Sequence, residues 1–229
     1  MAPPFLAFDT RDALMQAASA RIADTLERAL ARFGAACAAL SGGTTPEPAY
    51  ALLAQRPLDW SSVTFTLVDE RFAPPGDPAS NEGMVRRALA PAFKRGANLV
   101  PLWSDTTPEA AAAQASKAYD RLWFNVAVMG MGADGHTASW FPDAPLLRHA
   151  LDPNNAQSVI TISAASAAGK TERLTMTLSA LKRAHRVLLL ITGEEKRIAY
   201  EKALTSIAPS PIGALVAACG GRLETLWAP

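Results

Sequence analysis

A histidine that follows a glycine-rich stretch is the residue of this chain best suited to proton transfer. Three of the six residues from 130 to 135 are glycines, and His136 comes directly after them. Glycines let a loop approach a ligand closely, and an imidazole ordinarily titrates at about pH 6.5, so a general base can operate there near neutral pH. Asp134 is close enough in sequence to orient the imidazole and stabilise its protonated form. We therefore predict that Asp134 and His136 form a catalytic pair that activates water.

Other kinds of catalytic site fit the sequence less well. The G-x-S-x-G motif of many serine nucleophiles is absent. Asp134, His136 and Asp143 are potential metal ligands, but no second histidine stands at a helical spacing of four residues with a glutamate. A lone histidine can also be structural, and we interpret His149 and His185 as surface or helix-end residues. We predict no metal site.

Residues 41–46, with the sequence Ser-Gly-Gly-Thr-Thr-Pro, follow an apolar run and precede a helical segment. The backbone of Gly42 and Gly43 can turn tightly and present N–H groups to an anion, and the hydroxyl of Thr44 adds a donor. This pattern predicts a cradle for a phosphate or a sugar oxygen. A plain turn between strand and helix is the alternative, and a nucleotide is not implied, because neither a Walker loop nor G-x-G-x-x-G is present.

A second polar cluster, Asp69, Glu70 and Arg71, ends a run of apolar residues. Arg71 can donate a planar pair of N–H groups to phosphate, and we expect a nearby carboxylate to hold it in place. A structural ion pair at a sheet edge is the alternative. Ser80 and Asn81, a little further on, are interpreted first as a helix N-cap and second as ligand contacts.

These residues must be positioned by alternating strands and helices. Apolar runs typical of strands lie at 5–8, 35–40, 63–68, 126–129, 159–162, 187–191 and 223–227. Segments of helical period lie at 12–33, 46–55, 81–93, 108–123 and 194–204. The alternation predicts an α/β fold whose mainly parallel sheet is covered by helices on both faces. In such a sheet, ligands bind at the carboxyl ends of the strands, where the loops discussed above would meet.

Composition narrows the class of protein. The 229 residues are 49% hydrophobic and 19% charged, and the net charge of +1 gives no general attraction to nucleic acid or to an anionic membrane. Cys37 lies in an apolar run and predicts a small buried side chain, and the two cysteines fit neither a zinc site nor a disulfide framework. Residues 1–9 do not resemble a signal peptide, and no apolar run could span a bilayer. We expect a cytoplasmic protein with one domain over residues 1–229.

Five segments together resemble a known family, the 6-phosphogluconolactonases and the related glucosamine-6-phosphate deaminases. The matching segments are residues 41–46, 69–72 with 80–81, 130–142, 173–177 and 193–196. They occur in the order typical of the family and extend over most of the chain. Each segment alone is a modest signal, whereas five in order are a strong one.

The resemblance implies a Rossmann-like α/β fold and hydrolysis of 6-phospho-D-glucono-1,5-lactone in the oxidative pentose phosphate pathway. It implies no metal and no organic cofactor, a sugar-phosphate lactone as the small-molecule partner, and a monomer or weak homodimer. By position, His136 is expected to take a proton from water, with Asp134 steadying it. Further residues are expected to bind the phosphate or line the sugar: Gly42, Gly43, Thr44, Asp69, Arg71, Arg173 and Lys196.

Two differences separate this chain from the deaminases. Where the deaminases have a glutamate that relays a proton, the aligned residue here is Phe141, which cannot do so. The deaminases also tend to have tyrosine at the position of Arg71. Asp69 does not discriminate, because it matches the aspartate that deaminases use as a base. A deaminase or isomerase remains one alternative, and a non-catalytic sugar-phosphate sensor is the other.

Overall fold

The computed structural model describes residues 3–206 and 210–229, so the first two residues of the N-terminal segment lie outside the described residues. The strands are β1 Phe5–Ala7, β2 Ala36–Leu40, β3 Val63–Leu67, β4 Asp69–Arg71, β5 Asn98–Leu99, β6 Val126–Gly130, β7 Val159–Ser163, β8 Glu172–Met176, β9 Arg186–Thr192 and β10 Leu223–Ala228. The helices are α1 Arg11–Phe33, α2 Glu47–Leu53, α3 Asn81–Ala88, α4 Ala90–Lys94, α5 Pro108–Tyr119, α6 Leu147–Ala150, α7 Leu178–Leu181, α8 Glu194–Thr205 and α9 Pro211–Cys219.

Helix α1 begins and ends close to the residues that its local sequence signals predict. Thr10 caps its start by accepting a hydrogen bond from the Ala13 N–H at 3.1 Å, and Gly34 ends it in the left-handed conformation with φ of 73°. Of its apolar residues at spacings of four, Leu14, Ala18, Ile22 and Leu26 are fully buried and Leu30 is partly buried. The predicted helix is therefore confirmed almost to the residue.

The main sheet has the strand order β1-β10-β9-β6-β2-β3-β5 among the described residues, and all its neighbouring strands are parallel. Every side chain of β2 is buried, as are those of residues 187–191 in β9. Because successive side chains of a strand point to opposite faces, this burial means that both faces of the sheet are covered. The predicted α/β fold with a mainly parallel sheet is confirmed, as is burial of Cys37.

A second, antiparallel sheet of order β4-β8-β7 was not predicted. Residues 159–162 are a strand as expected, but β7 pairs antiparallel with β8 and does not extend the parallel sheet. The chain passes from one sheet to the other at Val68, whose N–H donates to Leu40 while its carbonyl accepts from Met176. Residues 69–71 therefore form a strand of their own, where the sequence indicated a loop.

Two helix predictions need correction. The segment 81–93 forms two helices, α3 and α4, because the backbone leaves the helical conformation at Leu89. Pro91 lies in the first turn of α4, where the N–H that proline lacks would have no partner within the helix. Helix α5 begins at Pro108 with Thr107 as N-cap, as predicted, but ends at Tyr119, before residue 123. Within the described residues, no helix is both long enough and apolar enough to cross a bilayer.

Candidate active site

The carboxyl ends of four adjacent strands, β9, β6, β2 and β3, lead into loops around a cavity of about 290 Å³. Ligands of parallel α/β sheets bind at this edge. The cavity is lined by eight of the nine residues predicted to form the site: Gly42, Gly43, Thr44, Asp69, Arg71, His136, Arg173 and Lys196. The ninth residue, Asp134, contacts His136.

The His136 imidazole is held by its own loop. Its Nδ1 lies 2.6 Å from Oδ1 of Asp134, and the same carboxylate oxygen accepts the His136 backbone N–H at 3.2 Å. A Cβ atom at Gly132 would stand 2.3 Å from Nδ1 of His136, so glycine is needed there to leave room for the ring. When Nδ1 carries a proton toward Asp134, Nε2 keeps a lone pair that can accept a proton from water.

The loop that carries His136 is anchored on both sides. Thr137 donates its hydroxyl to the Gly130 carbonyl at 2.7 Å, and the fully buried Trp140 donates its indole N–H to the Met176 carbonyl at 2.9 Å. Between them, Ala138 has a φ of 48°, a left-handed conformation that costs a non-glycine residue on the order of 1 kcal/mol. These anchors fix the loop against β8 and thereby fix the imidazole.

Asp69 and Arg71 reach the cavity from β4. The Asp69 carboxylate, which is buried, accepts a hydrogen bond from the Ser139 hydroxyl at 2.6 Å, and its backbone carbonyl accepts from the Asn81 side chain at 2.9 Å. Arg71 donates through Nη1 to the Ala79 carbonyl, while its buried Nε has no partner among the described residues. The carboxylate expected to hold the Arg71 guanidinium is not found within salt-bridge distance in residues 3–206 and 210–229, so that expectation is wrong.

Arg173 is the second cation of the cavity and faces Arg71 directly across the β4–β8 pair. It is buried, donates to the carbonyls of Lys170 at 2.7 Å and Ala168 at 2.6 Å, and lies over the Phe141 ring. Burial lowers the pKa of its guanidinium, and the Asp69 carboxylate opposes that shift. Two like charges placed opposite each other in a sheet destabilise it unless an anion lies between them.

Lys196 provides the third cation, from the first turn of α8 after Gly193. Burial lowers the pKa of its ammonium group, with Glu195 acting in the opposite direction and Arg11 adding to the shift. Three cations, Arg71, Arg173 and Lys196, therefore line the cavity against one carboxylate. A small anion of more than one charge suits this balance.

The glycine-rich loop after β2 forms the facing wall. Gly43 has a φ of 99°, a conformation that favours glycine, and a Cβ atom at Gly42 would stand 1.9 Å from the side-chain oxygen of Asn81. The Ser41 hydroxyl is buried in this wall and has no partner within the described residues. The predicted turn is thus real, and its backbone approaches the cavity because two glycines permit it.

Sequence reasoning underestimated three residues of the site. Ser41 was recognised only as part of its motif, and Asn81 was interpreted mainly as a helix cap, whereas Ser80 alone is the N-cap and Asn81 lines the cavity. The Phe141 ring packs against the His136 ring at a tilt of 32°, with the ring centroids 4.4 Å apart. Asp143, a potential metal ligand by sequence, accepts hydrogen bonds from Ser166. In the part of the chain that the structure describes, no three His, Cys, Asp or Glu side chains lie close enough together to hold a metal ion.

The fold and the cavity define a class of protein. It is an α/β protein in which a His–Asp pair and cationic side chains that can bind a small anion lie together at the carboxyl ends of the strands. The family model described as glucosamine-6-phosphate isomerases/6-phosphogluconolactonase matches residues 9–227. The chain is 41% identical to a 6-phosphogluconolactonase of Mesorhizobium japonicum over 97% of its own length and 94% of the relative's. It is 36% identical to one of Caulobacter vibrioides, with coverages of 97% and 96%.

Solved structures similar to this fold have names that match those of the sequence relatives. A 6-phosphogluconolactonase from Shewanella baltica OS155 superposes with a TM-score of 0.92 at 34% identity, covering 99% of this chain and 98% of that one. A protein from Neisseria gonorrhoeae FA 1090, described as a putative 6-phosphogluconolactonase, gives a TM-score of 0.90 at 31% identity, with coverages of 99% and 100%. This chain belongs to the glucosamine-6-phosphate isomerase/6-phosphogluconolactonase family.

Proposed function

We propose that this protein is a lactone hydrolase that converts 6-phospho-D-glucono-1,5-lactone to 6-phospho-D-gluconate in the oxidative pentose phosphate pathway. The observation that carries the proposal is the shared cavity, in which the imidazole of His136 and the three cations face the same space. The relatives above that share more than a third of their residues with this chain are named for this activity.

In the mechanism that we propose, Nε2 of His136 accepts a proton from water as the water oxygen attacks the C1 carbonyl of the lactone. Asp134 orients the ring and stabilises the imidazolium through the 2.6 Å contact. The tetrahedral intermediate then expels the ring oxygen, the bond between C1 and that oxygen breaks, and the imidazolium returns its proton to it. The carboxylic acid formed loses its own proton to solvent.

Arg71, Arg173 and Lys196 are proposed to bind the 6-phosphate, with Gly42, Gly43 and Thr44 lining the sugar. The unpaired Nε of Arg71 supports this assignment, because a buried donor without a partner costs roughly 1 to 3 kcal/mol that a phosphate oxygen would recover. Fixing the phosphate at one end of a cavity places C1 at a set distance from it, which is how positioning contributes to the rate.

The contact between Phe141 and His136 disfavours a glucosamine-6-phosphate deaminase. The aromatic ring packs against the imidazole at the position where the resemblance places a proton-relaying glutamate in the deaminases, and a phenyl ring has no proton to transfer. A sugar-phosphate sensor would bind 6-phosphogluconate without hydrolysing the lactone. Both alternatives are therefore separated from the proposal by direct assays.

The test is lactone hydrolysis by the purified protein, measured rapidly on freshly prepared substrate with spontaneous hydrolysis subtracted. We expect His136→Ala to lower kcat by about 10² to 10⁴, the share that a general base contributes. His185→Ala, which removes an imidazole outside the cavity, is the matched control. Near-wild-type turnover of His136→Ala would remove this residue from the mechanism, and ammonia release from glucosamine 6-phosphate would favour the deaminase.

Three further properties stay predictions from the sequence: a single domain, a cytoplasmic location and a monomeric or weakly dimeric state. Light scattering over a range of protein concentrations measures the last of these directly. We also propose that the reaction needs neither a metal nor an organic cofactor, and activity that survives exhaustive dialysis against a chelator is the expected result.

A further inference from the structure

We propose that Glu70, which touches no part of the cavity, is a positioning residue that holds Arg71 and Asn81 at the cavity wall. The kinetic part of this inference depends on the proposed lactonase activity. The structural part depends on a buried carboxylate whose four hydrogen bonds all go to the chain segments that carry those two residues.

The Glu70 side chain is completely buried and every bond to its carboxylate comes from a donor. Oε1 accepts the backbone N–H groups of Arg71 and Asn81, each at 2.7 Å. Oε2 accepts the backbone N–H of Glu82 at 2.7 Å and the hydroxyl of Ser80 at 3.0 Å. Because Asn81 and Glu82 are the first residues of α3, the carboxylate satisfies N–H groups that have no partner within the helix.

Two further hydrogen bonds join the same segments beside the carboxylate. The Arg71 guanidinium donates to the carbonyl of Ala79, and the Asn81 side chain donates to the carbonyl of Asp69. Strand β4 and the start of α3 are thus linked by the Glu70 carboxylate from within and by Arg71 and Asn81 on the cavity side. Glu70 bonds to both segments and lies outside the cavity lining, so its role is to set their relative position.

The position of Asn81 also matters for the opposite wall of the cavity. The Asn81 side chain fills the space in which a Cβ atom at Gly42 would lie, so the two residues are packed directly against each other. A shift of α3 relative to β4 would therefore move Arg71 away from the phosphate and disturb the backbone of the glycine-rich loop. Both effects weaken substrate binding, whereas the His136 loop keeps its hydrogen bonds to the carbonyls of Gly130 and Met176.

The chemistry of the four donors requires a carboxylate. Glutamine offers one acceptor oxygen and one NH₂ group, and the NH₂ group would face at least one N–H donor of β4 or α3. One hydrogen bond to the carboxylate is then replaced by two donors that repel each other. Loss of a charge-assisted hydrogen bond corresponds to roughly a tenfold or larger change in an equilibrium constant.

The experiment compares Glu70→Gln with Glu82→Gln. Glu82 in α3 is also a buried carboxylate, and it pairs with Arg86 at 2.7 Å. Because Glu82 lies outside the cavity lining, its variant controls for loss of a buried charge. Above pH 7, where the Glu70 carboxylate is ionised, we expect Glu70→Gln to raise KM for the lactone and Kd for 6-phosphogluconate about tenfold, with kcat within about threefold of wild type. Glu82→Gln should keep wild-type KM and Kd.

A purely structural role gives a different result. Destabilised enzyme contains fewer active molecules, so apparent kcat falls while KM and Kd stay unchanged, and that outcome for Glu70→Gln overturns the proposal. In the Arg71→Ala background, adding Glu70→Gln should raise KM by less than it does in wild type, because part of its effect acts through Arg71. Full additivity of the two changes would count against the proposal.

The design separates this inference from the proposed function. If wild-type protein binds 6-phosphogluconate but does not hydrolyse the lactone, the proposed function fails, and the Kd comparison still tests Glu70. If Glu70→Gln does not yield folded protein, Ser80→Ala removes one donor from Glu70 together with the N-cap of α3 and should raise Kd at least about threefold, the share of one hydrogen bond. An unchanged Kd in folded Ser80→Ala would then contradict the positioning role.

Discussion

The exposure of the His136–Asp134 pair predicts how much catalysis depends on the aspartate. In a buried Ser-His-Asp triad, replacing the aspartate by asparagine lowers kcat by about 10⁴. Here the side chains of His136 and Asp134 are 30% and 44% exposed, so water screens their attraction. Exposed ion pairs contribute about 0 to 1 kcal/mol, and the hydrogen bond to an ionised group exceeds a neutral one by about 1 kcal/mol.

Asp134→Asn should therefore lose about 1 to 2 kcal/mol of transition-state stabilisation, which is about a 5- to 30-fold fall in kcat. KM should not change, because Asp134 does not line the cavity. The assay is the corrected initial rate of lactone hydrolysis over a range of substrate concentrations. Asp143→Asn is the matched control, since Asp143 accepts hydrogen bonds from Ser166 and has no contact with the imidazole.

Two results would refute this reasoning. A fall of 10³ or more would mean that the pair is closed off from water when substrate binds, so that the screening argued from the exposed fractions does not apply. A kcat within about twofold of wild type would mean that the 2.6 Å contact neither orients the ring nor stabilises the imidazolium.

Three further predictions concern other parts of the site. Burial lowers the pKa of Lys196, so its ammonium group loses its charge as the pH rises from about 7 to about 10, whereas an arginine there stays charged. The Kd of wild type for 6-phosphogluconate should therefore rise more over this pH range than the Kd of Lys196→Arg. Calorimetry that shows the same pH dependence for both proteins would contradict this prediction. Gly132→Ala should displace the His136 ring and lower kcat about 10²-fold in a folded protein, whereas Gly76→Ala, whose added Cβ meets open space, should not. Burial raises the pKa of Glu70 to about 7 from an ordinary value of 4.5, so the folded chain binds this proton more tightly than the unfolded chain. The resulting stability is present below pH 4.5 and lost as the pH rises through 7. Between about pH 4.5 and 7, the free energy of unfolding of wild type should fall by about 3 kcal/mol relative to that of Glu70→Gln. The measurement is denaturant unfolding of both proteins over this pH range. Equal pH dependence of the two would show that Glu70 does not titrate there.

Short stretches of sequence were sufficient to predict much of the site because its chemistry lies in loops with strong local signals. The glycines around His136, the paired Gly42 and Gly43, and the Ser80 cap each express a conformational preference within a few residues. The rule that parallel strands present their carboxyl ends at one edge then brings distant loops together without further information. The predicted contact of Asp134 with His136 follows from a separation of two residues and is confirmed.

Only the tertiary structure decided which residues face each other across the cavity. Arg71 lies opposite Arg173, about a hundred positions further along the chain, because β4 pairs with β8 in the small antiparallel sheet, and neither of these two short strands has a distinctive sequence pattern. The same sheet buries Glu70, whose carboxylate accepts N–H groups of α3 and of the Arg71 backbone but does not pair with the Arg71 guanidinium. Local sequence encodes turns, caps and periodicity, whereas the burial of a carboxylate and the identity of its donors depend on packing between segments that only the folded chain brings into contact.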